Sequence, residues 1–388
     1  MKIVKKIIKW AFIFVLLFLL YVVIAIGHGT ITDFQPEERI VLEAIKPNQN
    51  ATIDKDELSF LNWNVGYGGL GKESNFFYDE GRFFTSGGKM VRASKENVEK
   101  NINGVGQFLD KHKTDFVLLQ EVDQDSRRSY YIDQSKRYQS KLNGYTQSFA
   151  VNFNVSRVPL PVCEPWSVIG KVYSGLSSFS KYNSSESVRL QFPGEYSWPN
   201  RVFHLDRCMS VQRYPTIHPD GKELVVVNTH NSAYDGGELK QQEMGYFKDF
   251  VLEEYEKGNY VIVGGDWNQC PPNIPFDKNA AEWGIAPDSS YYTGNIAPGF
   301  MPADWTWAFD DKVPTNRKLV DTYEHKKTFV TLIDFYLVSP NVEVLEVRGE
   351  DMKFEFSDHQ PVFLNAKLKG LIPEADTTAV AIDSTLMQ

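Results

Sequence analysis

Asn64, Glu121, His230, Asp266, Asn268, Asp334, Asp358 and His359 are each carried by, or end, a short apolar run. The runs are LSFLNWN (58–64), DFVLLQE (115–121), ELVVVNTH (223–230), YVIVGGDWN (260–268), TLIDFYLVS (331–339) and FSDHQPVFL (356–364). Acid, amide and imidazole groups in this mixture suit the holding of a divalent cation or a phosphate. Runs of this length, rich in Val, Ile, Leu and Phe, read as buried strands. A carboxylate at the tip of a buried strand is costly unless something pairs with it. Six strands that each deliver such a group therefore predict one shared site.

The elements needed to position these groups are partly visible. Residues 94–112 have helical spacing, with Val98, Ile102, Val105, Phe108 and Leu109 on one side, and Leu239–Tyr255 reads as a second amphipathic helix. Further strand signals lie at 174–180, 187–192, 207–214 and 361–368. Segment 66–89 is rich in Gly and aromatics, which allows tight turns close to the site. Its Phe76, Phe77, Tyr78, Phe83 and Phe84 are candidates for an acyl chain or a base at the mouth, or for packing under the loop. Residues 123–170 read as loop-rich and 270–327 as a long functional loop. Strands interleave with two or three helices, without a glycine-rich nucleotide loop after any strand. The pattern predicts an α+β fold of two β-sheets packed face to face, a four-layer α/β/β/α sandwich with helices outside.

The ordered motifs NWNV, LQEVD, NTHNS, GGDWNQ, IDFYLVS and SDHQPV resemble the endonuclease/exonuclease/phosphatase superfamily. That group includes deoxyribonuclease-like enzymes, abasic-site nucleases, neutral sphingomyelinases and inositol polyphosphate phosphatases. GYGGLG and QEVDQDSRRSYY are similar to a bacterial, membrane-anchored branch. The resemblance spans about 57–368 and implies Mg²⁺- or Mn²⁺-dependent hydrolysis of a phosphoester. It implies Glu121 with Asn64 and Asp358 around the metal, and His359 held by Asp334. Asp266 would orient or deprotonate water, Asn268 would donate to a phosphoryl oxygen, and His230 would act as general acid or phosphate donor. Arg207 and Arg317 are candidates for phosphate binding, since a guanidinium forks onto it.

The N-terminus carries the targeting signal. Lys2, Lys5, Lys6 and Lys9 precede an uncharged apolar stretch from Trp10 to Ile26, which spans about 25 Å as a helix. A transmembrane anchor over 1–27 is expected, with a cleaved signal peptide as the rival reading. The lysines stay cytoplasmic under the positive-inside bias, which exports the remainder. A tether over 28–56, with helical character around Pro36–Ile45, a catalytic domain over 57–370 and a mobile tail over 371–388 complete the organisation.

Charge narrows the substrate. The chain carries −9, and without its four leading lysines the remainder carries −13. Duplex-binding domains show a basic face, so a lipid or small phosphorylated molecule is favoured over nucleic acid. The alternatives are a surface nuclease and a catalytically inactive binding member. A monomer is expected. Cys163, Cys208 and Cys270 do not form a disulfide framework, although an oxidising compartment allows one pair, which the sequence does not specify.

Overall fold

The computed structural model describes residues 2–45, 52–233, 237–274, 283 and 294–371. In chain order its main elements begin with α1 (Lys2–Ile31), β1 (Arg39–Val41), β2 (Glu57–Asn64), α2 (Lys95–Lys111), β3 (Phe116–Asp123), α3 (Gln134–Lys141), β4 (Thr146–Val158) and β5 (Gly170–Ser180). They continue with β6 (Glu186–Gln191), β7 (Cys208–Pro215), β8 (Glu223–His230), α4 (Glu238–Glu256), β9 (Tyr260–Asp266) and β10 (Thr306–Ala308). The last are β11 (Asn316–Arg317), β12 (Val330–Thr331), β13 (Asp334–Val338), β14 (Val342–Gly349) and β15 (Val362–Leu368).

Alternation along the central strands builds the layers. In β2, Leu58 and Phe60 turn to one side and Leu61 and Trp63 to the other. The first pair joins Phe116, Leu118, Leu224, Val226, Ile262, Tyr336 and Leu364 in a core between two sheets. The second pair joins Val117, Leu119 and the apolar stripe of α2 (Val98, Ile102, Val105, Leu109). On the far side, Val225, Val227, Val261 and Val263 pack against Met244, Phe247 and Val251 of α4. One sheet has the order β1-β6-β7-β8-β9-β13-β10 and the other β14-β15-β2-β3-β5-β4. Both are mixed, with β8 parallel to β9 and β2 parallel to β3. The expected sandwich, with helices outside and one apolar N-terminal helix, is the observed fold.

Several local expectations change. The stretch read as helical around Pro36–Ile45 contains β1, which pairs antiparallel with β6, and Ile45 bridges Gln147. Ile53 is fully buried and bridges Thr216. The described part of the expected tether is therefore fastened to the sandwich. The region read as loop-rich holds α3 and the 13-residue β4. In β4, a sheet edge, apolar residues alternate with amides and hydroxyls, which mutes the strand signal. Most of the expected tail, beyond Leu371, and residues 275–293 of the expected long loop, except Trp283, lie outside the described residues.

Candidate active site

The inner face of the sandwich turns from apolar to polar at one end. Strand parity places Asn62 and Asn64 after Leu58 and Phe60, and Gln120 after Leu118. In the facing sheet it places Asn228 and His230 after Val226, Asp266 after Ile262, and Asp334 before Tyr336. All of these are buried. A polar layer there demands partners, and Gln120 supplies them: its Nε2 donates to Asn62 Oδ1 (2.8 Å) and Asn228 Oδ1 (2.7 Å). Asn62 Nδ2 in turn donates to the Gly265 carbonyl at 3.1 Å, across the sheets. This amide network is the floor of the site. Gly264 fits here because a Cβ would lie 2.8 Å from the Tyr336 ring.

Asp266 Oδ2 is the centre of the next layer. It accepts a hydrogen bond from Asn64 Nδ2 at 2.9 Å and lies 3.5 Å from His230 Nε2 and 3.6 Å from His359 Nε2. Its other oxygen accepts from Asn268 N at 3.0 Å, a turn in which Asn268 takes φ +49°. Asn268 Nδ2 donates to the Asn231 carbonyl at 2.9 Å, which leaves one amide hydrogen for a ligand.

His359 and Asp334 meet as expected, Nδ1 to Oδ2 at 2.8 Å. Burial favours the neutral acid at Asp334, whereas a charge-assisted hydrogen bond this short favours the ion pair. Burial alone would lower His359, but the carboxylates of Asp334, Asp266 and Asp358 outweigh it and hold the imidazole well above the ordinary histidine range. His230 goes the other way. Burial, then the charges of Arg207, His359 and Arg128, push it well below that range. The surroundings thus favour the charged form of one imidazole and the neutral form of the other, a division the sequence does not show.

Glu121 reaches the site through a break in register. The pairing of β3 with β5 shifts between Leu119 and Val122, and Glu121 takes φ +55°. Without that irregularity its side chain would follow Leu119 to the helix-covered face. Its Oε1 lies 3.4 Å from Asn64 Nδ2. Burial pushes the Asp358 carboxyl up to about 7; the His359 charge opposes this and the Glu121 charge adds to it. Gly66, at φ +50°, lets the backbone pass beside this acid, since a Cβ there would lie 2.7 Å from Asp358 Oδ1. Asn64 differs from expectation: its oxygen accepts from Gly66 N at 3.0 Å, and its nitrogen faces Glu121 and Asp266. It bridges the acids here rather than offering them a third oxygen.

Two acid groupings could hold a metal. Asp266, Asp334 and His359 bring ligand atoms within 4.8 Å of one another, but His359 Nδ1 is already engaged by Asp334 at 2.8 Å. Glu121 and Asp358 offer hard carboxylate oxygens whose mutual repulsion a cation relieves. Hard oxygen donors of this kind fit a divalent cation, with the remaining ligands left to water and substrate oxygens.

The arginines separate. Arg207 donates to the His230 carbonyl at 3.3 Å and stands at the site's edge. Arg317 is a correction. It is fully buried, and its guanidinium donates to the carbonyls of Gly71 (2.7 Å), Ser74 (3.1 Å) and Asp321 (3.2 Å). It fastens the glycine-rich loop rather than facing a ligand. Its neighbour Asn316 faces the site instead, with Nδ2 3.0 Å from His359 Nε2. The same nitrogen lies 3.4 Å from the Asp358 carbonyl, so Asn316 links Asp358 and His359 of the SDHQPV motif. Arg128 and Tyr67 are further residues not singled out from the sequence. Arg128 forks onto Asp123 at 3.0 and 3.1 Å and stacks 3.8 Å over the Tyr67 ring. Burial raises the Tyr67 phenol; Arg128 opposes this, while Glu121 and Asp358 add to it. Both residues lie on loops whose backbone no periodicity encodes.

The mouth continues past Arg207. Burial and the Arg207 charge push His204 down to about 4, and Tyr196 packs against its ring at 4.3 Å with the planes tilted. Tyr78, raised by burial and by Tyr196, packs on Phe83 at 5.2 Å. Phe77 is fully buried, whereas Phe83 and Phe84 are exposed. The aromatic group foreseen at 76–84 is thus divided between packing and rim.

A two-sheet sandwich with acids, amides and two unlike imidazoles gathered at one end defines a phosphoester hydrolase. The model of the endonuclease/exonuclease/phosphatase family matches residues 61–359, and the chain belongs to that family. Its enzymes generally use divalent metal ions. Among solved structures, the chain is similar to an endonuclease/exonuclease/phosphatase from Beutenbergia cavernae, with 15% identity and a TM-score of 0.51 over 82% of this chain and 73% of that one. It is also similar to one from Bacteroides vulgatus, with 17% identity and a TM-score of 0.46 over 81% and 100% of the two chains. The human nocturnin catalytic domain with bound sulfate gives 15% identity and a TM-score of 0.47 over 84% and 98%. No curated protein matches the chain.

Proposed function

We propose that the chain is a membrane-anchored, Mg²⁺-dependent phosphoester hydrolase whose catalytic domain lies outside the cytoplasm. Its substrate would be a lipid or a small phosphorylated molecule. The observation that carries this reading is the convergence of Glu121 and Asp358 with Asp266, His230 and the His359–Asp334 pair. Glu121 and Asp358 would hold the cation, which would supply charge stabilisation to the phosphoryl oxygens.

The chain's own residues do the rest. Asp266 Oδ2, beside both imidazoles, accepts the proton of the attacking water. His359, kept cationic by Asp334, gives a charged hydrogen bond to a phosphoryl oxygen, and Asn268 gives its remaining amide hydrogen to another. Neutral His230 enters as a hydrogen-bond partner. It becomes a proton donor only when phosphate charge offsets its burial and the charges of Arg207 and His359. Arg207 adds positive charge at the edge where substrate enters.

α1 supports the anchor. It is 30 residues long with mean hydropathy 2.8 in its most apolar window, none of which is buried against the domain. The acidic remainder argues against duplex nucleic acid. Pure full-length protein, assayed with Mg²⁺ on sphingomyelin, inositol phosphates and plasmid DNA, tests the reading. Cleavage of plasmid DNA alone would replace it with a surface nuclease.

A further inference from the structure

The last turn of α1 is seated on the domain. His28 Nε2 lies 3.0 Å from Ser156 Oγ, and Thr32 Oγ1 lies 2.7 Å from the same oxygen. Trp198 Nε1 donates to Thr30 Oγ1 at 3.1 Å, and Asp33 pairs with Arg201 at 3.7 Å. Gly29 is buried because the Phe203 ring stands where a Cβ would be, at 2.7 Å. The apolar stretch ends at Ile26. At 1.5 Å per residue, His28 and Thr32 lie about 3 and 9 Å beyond it, the depth of a headgroup layer. If α1 spans a bilayer, Ser156, Trp198, Arg201 and Phe203 sit at that depth.

The same flank carries the most exposed aromatics of the sandwich. Val162 N and Cys163 N donate to the carbonyls of Phe83 and Phe84, at 2.9 and 2.8 Å, and Ser86 N donates to Glu164 Oε1 at 2.8 Å. These bonds join the 83–86 and 161–166 loops into one surface. Phe84 is 69% exposed, Trp166 76% and Trp198 58%. Arg157 donates to the Pro165 carbonyl at 3.0 Å and Arg127 to that of Val168, while Arg92 reaches the Arg127 carbonyl at 3.5 Å. Two guanidiniums thus bracket the loop that carries Trp166, with Arg92 beside them, in a chain of net charge −9. Of the nearby acids, Asp125 pairs with Lys171, and Glu164 accepts hydrogen bonds from the neutral Ser86 N and Oγ. Tryptophan beside arginine is the composition of surfaces that rest at the membrane–water interface.

We propose that Phe83, Phe84, Trp166 and Trp198, flanked by Arg92, Arg127 and Arg157, form a surface that lies on the bilayer holding α1. It keeps the mouth of the phosphate site in the headgroup layer. The contacts of Tyr78 with Phe83, and of Tyr196 with His204 beside Arg207, connect this surface to the site. The proposal rests on α1 being the anchor proposed above.

Cys163 is exposed while Cys208 and Cys270 are buried, so a thiol-reactive fluorophore labels this surface selectively. Full-length protein is reconstituted in nanodiscs of phosphatidylcholine and phosphatidylglycerol containing headgroup- or acyl-chain-quenching lipids. Two reference sites are labelled in a Cys163→Ser background. Leu17→Cys reports on the middle of α1. Asp220→Cys lies in the turn before β8, at the end opposite His230. Headgroup lipid should quench the Cys163 label and leave the Asp220→Cys label unaffected, while acyl-chain lipid quenches Leu17→Cys. An embedded Leu17→Cys with Cys163 as unquenched as Asp220→Cys overturns the surface and leaves the anchor standing. An unquenched Leu17→Cys overturns the anchor, and the surface with it.

Discussion

At the residue scale, two kinds of arginine and two kinds of histidine share one end of the molecule. Arg317→Ala leaves several buried carbonyls without a donor and should cost about 3 kcal/mol of stability, read as a lower midpoint in chemical denaturation. Arg207→Ala should keep that midpoint and weaken substrate binding or turnover, because its guanidinium stands at the edge of the site. The reverse pattern would exchange their roles. The site's residue types were legible because strand alternation projects Asn64, His230, Asp266 and Asp334 from apolar runs to the same face. Arg317 misled because β11 is only two residues long. Alternation there turns Asn316 toward His359 and Arg317 away, a parity that PTNRK alone does not reveal. Tyr67 and Arg128 stayed hidden for another reason: loop backbone with positive φ, as at Tyr67, follows no hydrophobic period.

At the element scale, the sandwich depends on polar cross-links as well as on its apolar core. Gln120→Leu would strip donors from Asn62 and Asn228 and should destabilise by about 2 kcal/mol, with a loss of activity beyond the stability effect because Asn64 and His230 share those strands. Glu254 ties α4 to β7 through Arg213, at 2.7 Å to each carboxylate oxygen. Burial alone would raise Glu254, but Arg213, Lys257 and Asn259 outweigh it and bring it down to about 2. A depressed folded-state value stabilises above the ordinary glutamate range, and the contribution is lost as pH falls from there through about 2. It is worth about 3 kcal/mol. Glu254→Gln should lower neutral-pH stability and flatten the acid limb of a stability–pH curve; an unchanged limb would remove Glu254 from the account. α2, α4 and the strands around the six motifs were readable from period. β4 and the bulge at Glu121 were not, since an edge strand is apolar on only part of one face and a bulge breaks the alternation that reveals strands.

At the scale of the whole molecule, an apolar helix, an acidic sandwich and one polar strand-end site are joined in a single chain. The helix should keep the protein with membranes through alkaline and high-salt washes, whereas a peripheral association would be released. The central claim is that the strand-end constellation hydrolyses a phosphoester with a divalent cation. Its most direct test is the initial rate of phosphoester hydrolysis by the purified full chain, in Mg²⁺ and in chelator, for the native sequence and for Asp266→Asn. Mg²⁺ should support turnover and chelator should abolish it. Asp266→Asn should fold normally and lose about 10²- to 10⁴-fold in turnover. Undiminished hydrolysis in chelator, or in Asp266→Asn, would contradict the account.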